Sequence, residues 1–288
     1  MTGEALHLFD MLAWQLARAL PGVRAGSHRA RLRGGGDVFA DTAAFLAHPD
    51  PRRIDLRRSL TDPFESLIVR RFEARNDLTV HLLLDASASL CTGARSDRAG
   101  LARMLAAGIA EAAWRGRDRF AITAIGGDDV LLSLGASRSR SMPSQVYEAV
   151  ATLVPKGRGV EGLVRIATSL PRDRILVVLI SDFEHDSTEL RQLLAALDPR
   201  PVWPLWLRDS GLETPRGHFG IAEIRDPETG RRRAVLTTRR WAAAETETHA
   251  WHRKVLRDVF SEFGLRPVEI RDQIDVAALA TALDEAPL

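Results

Sequence analysis

The sequence predicts a Rossmann-like, doubly wound α/β fold with a mostly parallel sheet and additional segments at both ends. Three observations point to it. Short aliphatic runs at residues 78–84, 120–125, 175–180 and 202–207 alternate with stretches of helical pattern, as expected when helices cover both faces of a parallel sheet. The runs at 78–84 and 175–180 are almost unbroken, the mark of strands buried on both faces. Both end on acidic residues, Asp85 and Asp182, and ligands of open α/β sheets bind outside the carboxyl ends of the strands.

Each element follows from local chemistry. Residues 6–20 read as a short amphipathic helix, interrupted by Asp10 and Arg18 and closed by Pro21-Gly22. The stretch from Gly26 to Gly36 is too rich in glycine and arginine for a regular element. Two short segments, 39–46 and 54–60, are divided by His48-Pro49-Asp50-Pro51, and a weak strand at 67–72 closes this section. After the first buried strand, residues 98–115 form a helix with Leu101, Leu105, Ile109 and Ala112 along one stripe. The strand at 120–125 turns through Gly126-Gly127-Asp128-Asp129 into residues 130–134. Helices at 144–153, 162–170 and 187–197 complete the alternation. Beyond it, 221–225 and 233–237 flank Asp226-Pro227-Glu228-Thr229-Gly230, a hairpin loop. A long helix at 241–263 ends at Gly264, followed by an edge strand at 268–270 and a last helix at 276–283. The chain divides into an N-terminal section (1–77), a central domain (78–210) and a C-terminal hairpin and helical extension packed on it (211–288).

Bulk properties narrow the classes. The 288 residues are 45% hydrophobic and 27% charged, with a net charge of +2, ordinary for a soluble globular protein. Of the 40 basic residues only Lys156 and Lys254 are lysines; genomic base composition explains such a skew, as does selection for bidentate anion recognition. One cysteine, Cys91, excludes an intrachain disulfide framework and a cysteine-based zinc site. No stretch reaches the roughly 18–20 apolar residues of a membrane span, and Glu4 argues against a signal peptide. The expectation is a cytoplasmic protein.

The loop Asp85-Ala86-Ser87-Ala88-Ser89 carries the clearest chemistry. In an extended loop the three oxygen-bearing side chains alternate with alanines and converge on one point. Carboxylates and hydroxyls are the ligands that Mg2+ or Mn2+ prefers, and Asp182 offers a second carboxylate. The competing reading is structural: Ser87 and Ser89 cap the following helix and Asp85 binds loop amides.

This constellation resembles the metal-ion-dependent adhesion site (MIDAS) of von Willebrand factor type A domains. More specifically, Gly26-Ser27-His28-Arg29-Ala30-Arg31, Gly34-Gly35-Gly36-Asp37-Val38-Phe39, Asp50-Pro51-Arg52-Arg53-Ile54-Asp55, Leu179-Ile180-Ser181-Asp182-Phe183 and Asp226-Pro227-Glu228-Thr229-Gly230 are similar to a bacterial family catalogued as domain of unknown function fifty-eight. Its members are usually encoded beside MoxR-type AAA+ ATPases. The resemblance implies a non-enzymatic interaction protein with a chaperone-like role: Asp85, Ser87 and Ser89 bind Mg2+, a partner carboxylate completes the shell, and the ATPase helps assemble or activate a client protein. The chain departs from the pattern at Leu56, where the family commonly has tryptophan. It departs again at Lys156-Gly157-Arg158-Gly159-Val160-Glu161-Gly162, which lacks the threonine of the adhesion site. Glu161 is a substitute carboxylate ligand. Arg158 is alternatively a residue that neutralises the loop's acids without metal.

Arg29, Arg31 and Arg33 among glycines suit phosphate or nucleic acid, and Arg29, Arg31 and Arg158 are candidate partner-binding residues; the aromatic interleaving that stacks bases is missing near them. Glu184, His185 and Asp186 follow Asp182 closely and suggest a second metal or a general base, but adjacent residues on a turn rarely converge, so they read as a solvated helix start. Rival functions are a metal-dependent phosphoester hydrolase using the same carboxylates and an arginine-mediated nucleic-acid binder.

Overall fold

The computed structural model describes residues 38–47, 49–64, 66–73, 78–215, 219–225 and 232–285. The expected helix at 6–20, Arg29, Arg31, Arg33 and the 226–230 loop lie outside the described residues. The described part falls into two units.

In the smaller unit, β1 (Val38–Ala44) pairs antiparallel with β2 (Ile68–Glu73). The helix α1 (Leu56–Thr61) lies between them in sequence, its first turn capped by the Asp55 carboxylate, which accepts from the Arg58 amide at 3.2 Å. Asp55 Oδ2 also accepts from Arg70 Nε on β2 at 2.8 Å, tying helix to strand.

The larger unit holds the alternating section. Its elements are β3 (Thr79–Asp85), a 3₁₀ turn (Ala88–Cys91), α2 (Arg98–Arg115), β4 (Arg119–Gly126), β5 (Asp129–Ser137), α3 (Met142–Ala151), α4 (Glu161–Ser169), β6 (Ile175–Ser181), α5 (Ser187–Leu197), β7 (Val202–Arg208), the single turn α6 (Ser210–Glu213), β8 (Gly220–Arg225), β9 (Arg232–Thr237), α7 (Arg239–Glu262), β10 (Val268–Arg271) and α8 (Val276–Glu285). Six strands form one sheet in the order β10-β7-β6-β3-β4-β5. All neighbours are parallel except β4 and β5, which form a hairpin edge. Counted along the chain this is the 3-2-1-4-5-6 order of doubly wound folds. The fold class is as expected.

Side-chain alternation divides the core. Val80, Leu82 and Leu84 of β3 pack with Leu105 and Ile109 of α2, Val146 of α3 and Leu279 of α8 on one face. Leu83 faces the other way, with Leu163 of α4, Leu193 of α5 and Phe260 of α7. Each fully buried leucine contributes about 2–5 kcal/mol against alanine. The expected single stripe on α2 is wider: Ala102, Ala106, Ala107, Ala110 and Ala113 are buried beside Leu105 and Ile109, while Leu101 is half-buried. Small alanines let this helix lie close to the sheet.

The C-terminal segment, expected as an extension with an edge strand at 268–270, supplies the sheet's sixth strand at its edge. Val268–Arg271 pairs parallel with Leu205–Arg208 of β7. Gly264, at φ +69°, turns the chain from α7 towards that strand.

Candidate functional site

In a sheet of this order the chain winds away in opposite directions from β3 and β6, which leaves a crevice at their carboxyl ends. Leu84 pairs with Ile180 across the two strands, so Asp85 and Ser181 come next to each other. Ser181 Oγ donates to Asp85 Oδ2 at 2.7 Å and accepts from the Phe183 amide at 2.8 Å. Phe183 takes a positive φ of 49°, rare for a bulky residue and retained only where the surroundings enforce it. Here its ring stands edge-on against Phe260 at 5.1 Å and Trp206 at 6.0 Å, and Trp206 Nε1 donates to the Asp182 carbonyl at 2.9 Å. The tight turn after β6 is thereby held in one conformation.

Asp85, Ser87, Ser89 and Asp182 are all buried, at 1–5% exposure. Ser87 Oγ and Ser89 Oγ lie 3.0 Å apart and share a hydrogen bond. The remaining oxygens are committed to protein donors. Asp85 Oδ1 accepts from the Ser87 amide at 3.0 Å, and its Oδ2 takes His185 Nε2 at 2.9 Å besides Ser181. Asp182 Oδ2 takes Arg98 Nη1 at 2.9 Å. The rest of the guanidinium closes the loop itself: Nη2 donates to the Ser89 carbonyl at 2.6 Å and to Thr92 Oγ1 at 2.7 Å, and Nε to the Thr92 carbonyl at 2.9 Å.

The electrostatics follow from this wiring. Burial pushes the Asp85 carboxyl up, but the His185 bond and charge, with Ser181 and Ser87, outweigh it and hold the group below its ordinary value. Burial pulls His185 down, yet Asp85, Asp182 and Glu189 raise it to about 9. Burial lifts the Asp182 carboxyl above its usual range against the pull of Arg98.

The other expected ligands lie elsewhere. Glu161 is exposed at the start of α4, its carboxylate folded over Gly159. Arg158 is exposed on the preceding loop. That loop runs alongside the Asp-Ser-Ser loop through backbone contacts: Lys156 N donates to the Ala86 carbonyl at 3.0 Å and Ala88 N to the Gly157 carbonyl at 3.0 Å. Val160, standing where a threonine was expected, is 1% exposed and packs into the core. Among the described residues no group of three histidine, cysteine or acidic side chains is disposed to hold a metal. Octahedral Mg2+ requires oxygens free to approach to about 2.1 Å. Both oxygens of Asp85 are engaged by protein donors and Asp182 is engaged by an arginine, so the residues as arranged do not fit a resident divalent cation.

Three residues that sequence reasoning passed over complete the site. Arg98 registered only as the first residue of a helix. His185, read with its neighbours as solvated, is 5% exposed; of its neighbours, Asp186 caps α5 and Glu184 is exposed. Asp209, one residue past β7, accepts through Oδ2 from the amides of Ala94, Arg95 and Ser96 at 2.8, 3.0 and 2.9 Å. A charged cleft beside the cluster is lined by Arg98, Asp182, Glu184, Arg208, Glu213 and His249. The detectable signal was acidic residues at or just past strand ends, which applies to Asp209 as it does to Asp85 and Asp182.

Fold and site together define a class: a doubly wound α/β protein with an Asp-x-Ser-x-Ser loop at the switch point of its sheet. Within that class the chain belongs to the family described as "Protein of unknown function DUF58", which matches residues 50–255. A curated relative from Paracoccus denitrificans, "Uncharacterized protein in moxR 3'region", is 56% identical over 105 residues, 36% of this chain and the whole of the relative. Solved structures similar to it include the conserved hypothetical protein BatB from Bacteroides thetaiotaomicron, 15% identical with a TM-score of 0.42, covering 72% of this chain and 96% of that one. Another is an aerotolerance-related membrane protein from Bacteroides fragilis, 14% identical with a TM-score of 0.44, covering 72% and 97%. No helix among the described residues is long and apolar enough to cross a membrane.

Proposed function

We propose that this protein is a non-enzymatic interaction module that works with a MoxR-type AAA+ ATPase to assemble or activate a client protein. The observation that carries the reading is the 56% identity to a relative described as lying in the moxR 3′ region. The geometry supports a binding role: the carboxylates at the carboxyl rim of the sheet are locked into hydrogen bonds with Ser181, His185 and Arg98. They hold a loop in shape. The charged cleft beside them, with exposed Glu184 and half-buried His249 at its edge, is the face the module offers to a partner, because complementary charge governs specificity and encounter more than raw affinity.

The test is co-purification of the tagged full chain with a MoxR-type ATPase from the same genome, under ATP, ADP and no nucleotide. A complex in at least one state is expected, weakened by Glu184→Arg. No complex in any state would overturn the reading, as would turnover of a generic phosphoester that disappears in Asp85→Ala.

A further inference from the structure

We propose that Arg98 takes the place of the divalent cation in this loop, so that the Asp-Ser-Ser site is closed by a guanidinium and is metal-independent. The disagreement between ligand pattern and wiring carries the inference. Asp85, Ser87, Ser89 and Asp182 converge as a cation loop requires, yet the positive charge on Asp182 is Arg98, a side chain of the same protein, 2% exposed, while His185 holds Asp85. Guanidinium is a planar fork of donors with no acceptor and keeps its charge at any ordinary pH. It cannot join a coordination shell. A dication on Asp182 would face this guanidinium across a single carboxylate, with strong repulsion even at an effective dielectric constant of ~20.

A second, independent observation is where Arg98 sits. It is the first residue of α2, the end at which the helix dipole disfavours a cation. Asp97 already caps that helix by accepting from the Gly100 amide at 2.9 Å, so helix formation does not call for an arginine here. The position is explained by what Arg98 reaches. It holds Asp182 from β6, and the carbonyls of Ser89 and Thr92 close the 3₁₀ turn beneath it. A metal in such a loop links its serines to the second acid. Arg98 makes the same link through the loop's backbone, and stays in place when chelator is added.

The inference does not depend on the ATPase reading, since its test involves no partner. Mn2+ is titrated into the purified full chain, with bound ion read from loss of the free-Mn2+ paramagnetic signal and the thermal midpoint followed in parallel. Wild type is expected to leave the signal unchanged at millimolar Mn2+ and to melt at the same temperature in EDTA. Arg98→Ser in a His185→Ala background frees Asp182 and Oδ2 of Asp85 from their cationic partners and is expected to gain one Mn2+ per chain relative to His185→Ala alone, with a midpoint rise of about 5 °C at a hundredfold excess over its Kd. One Mn2+ bound to wild type and lost in Asp85→Ala would overturn the proposal. So would a folded double variant that stays blind to Mn2+, because Arg98 would then not be what excludes the ion. If the double variant does not fold, the wild-type titration decides alone: an unchanged signal supports the proposal and binding overturns it.

Discussion

The Arg98 guanidinium donates to the Asp182 carboxylate at 2.9 Å with both side chains 2% exposed, which joins the start of α2 to the end of β6 through a buried ion pair. Removing one partner of such a pair strands a charge in the interior, at a cost of about 3–5 kcal/mol. Asp182→Ala is expected to lose that much in urea denaturation. Replacing both ends with apolar side chains of similar size, Arg98→Met with Asp182→Leu, removes the stranded charge. The double variant is expected to be more stable than Asp182→Ala, with strong non-additivity in a double-mutant cycle.

Asp209 anchors the loop on the far side of the same turn. Its carboxylate accepts three successive amides, Ala94 to Ser96, and the Gly211 amide at 2.7 Å. Asp209→Ala leaves those donors unpaired and is expected to cost about 3 kcal/mol, since hydrogen bonds to charged groups are the stronger ones. Burial raises this carboxyl, but the backbone donors prevail and hold it below its ordinary value of 3.8. The contribution is therefore complete above that value and is lost as pH falls through the lower folded one. The stability gap between wild type and Asp209→Ala should narrow in that acid range.

His81 acts in the same direction at milder pH. It lies on β3, its ring 3.0 Å from Thr123 Oγ1, and burial lowers it from 6.5 to about 4. The unfolded chain takes up a proton near 6.5 and the folded one only near 4, so stability falls as pH is lowered through that window. The slope approaches about 1.4 kcal/mol per unit. His81→Gln, which keeps a polar group near Thr123, is expected to flatten the profile between pH 6.5 and 4 in chemical denaturation measured across that range.

Much of this fold was legible because its signals are local. The aliphatic runs of β3 and β6 announce strands buried on both faces, and Asp97 and Asp186 mark the starts of α2 and α5, whose bounds match expectation. The meeting of Asp85 with Asp182 followed from the rule that sites gather at strand ends. The wiring was not legible, because its partners are remote: Arg98 and Asp182 are 84 residues apart and His185 and Asp85 are 100. Periodicity tells which way a side chain faces and not which distant group it meets. An arginine neutralising the acids was anticipated, but at Arg158, whose loop touches the site only through its backbone. The edge strand near 268–270 was legible, but its neighbour was not, because four residues carry too little pattern to name the strand they pair with.

The loop that lacks a threonine makes its contribution through close packing, which Gly162 tests. A Cβ at this position would stand 2.3 Å from the Gly127 carbonyl and 2.7 Å from Ile125 Cγ2, so α4 starts directly against the β4–β5 turn. Alanine in place of a helical glycine ordinarily stabilises by about 1 kcal/mol. Here the obstructing atom is backbone, and overpacking of this kind costs about 1–3 kcal/mol. The clash should win, because neither the hairpin turn nor the helix start can move alone. Gly127 lies against Gly157, and the Gly157 carbonyl holds the Ala88 amide at 3.0 Å. A shift at Gly162 therefore passes through two contacts to the Asp-Ser-Ser loop. Gly162→Ala is expected to lose about 1–2 kcal/mol in urea denaturation and to speed amide hydrogen exchange at Ala88. An unchanged exchange rate at Ala88 in a destabilised variant would show that the two loops are mechanically independent.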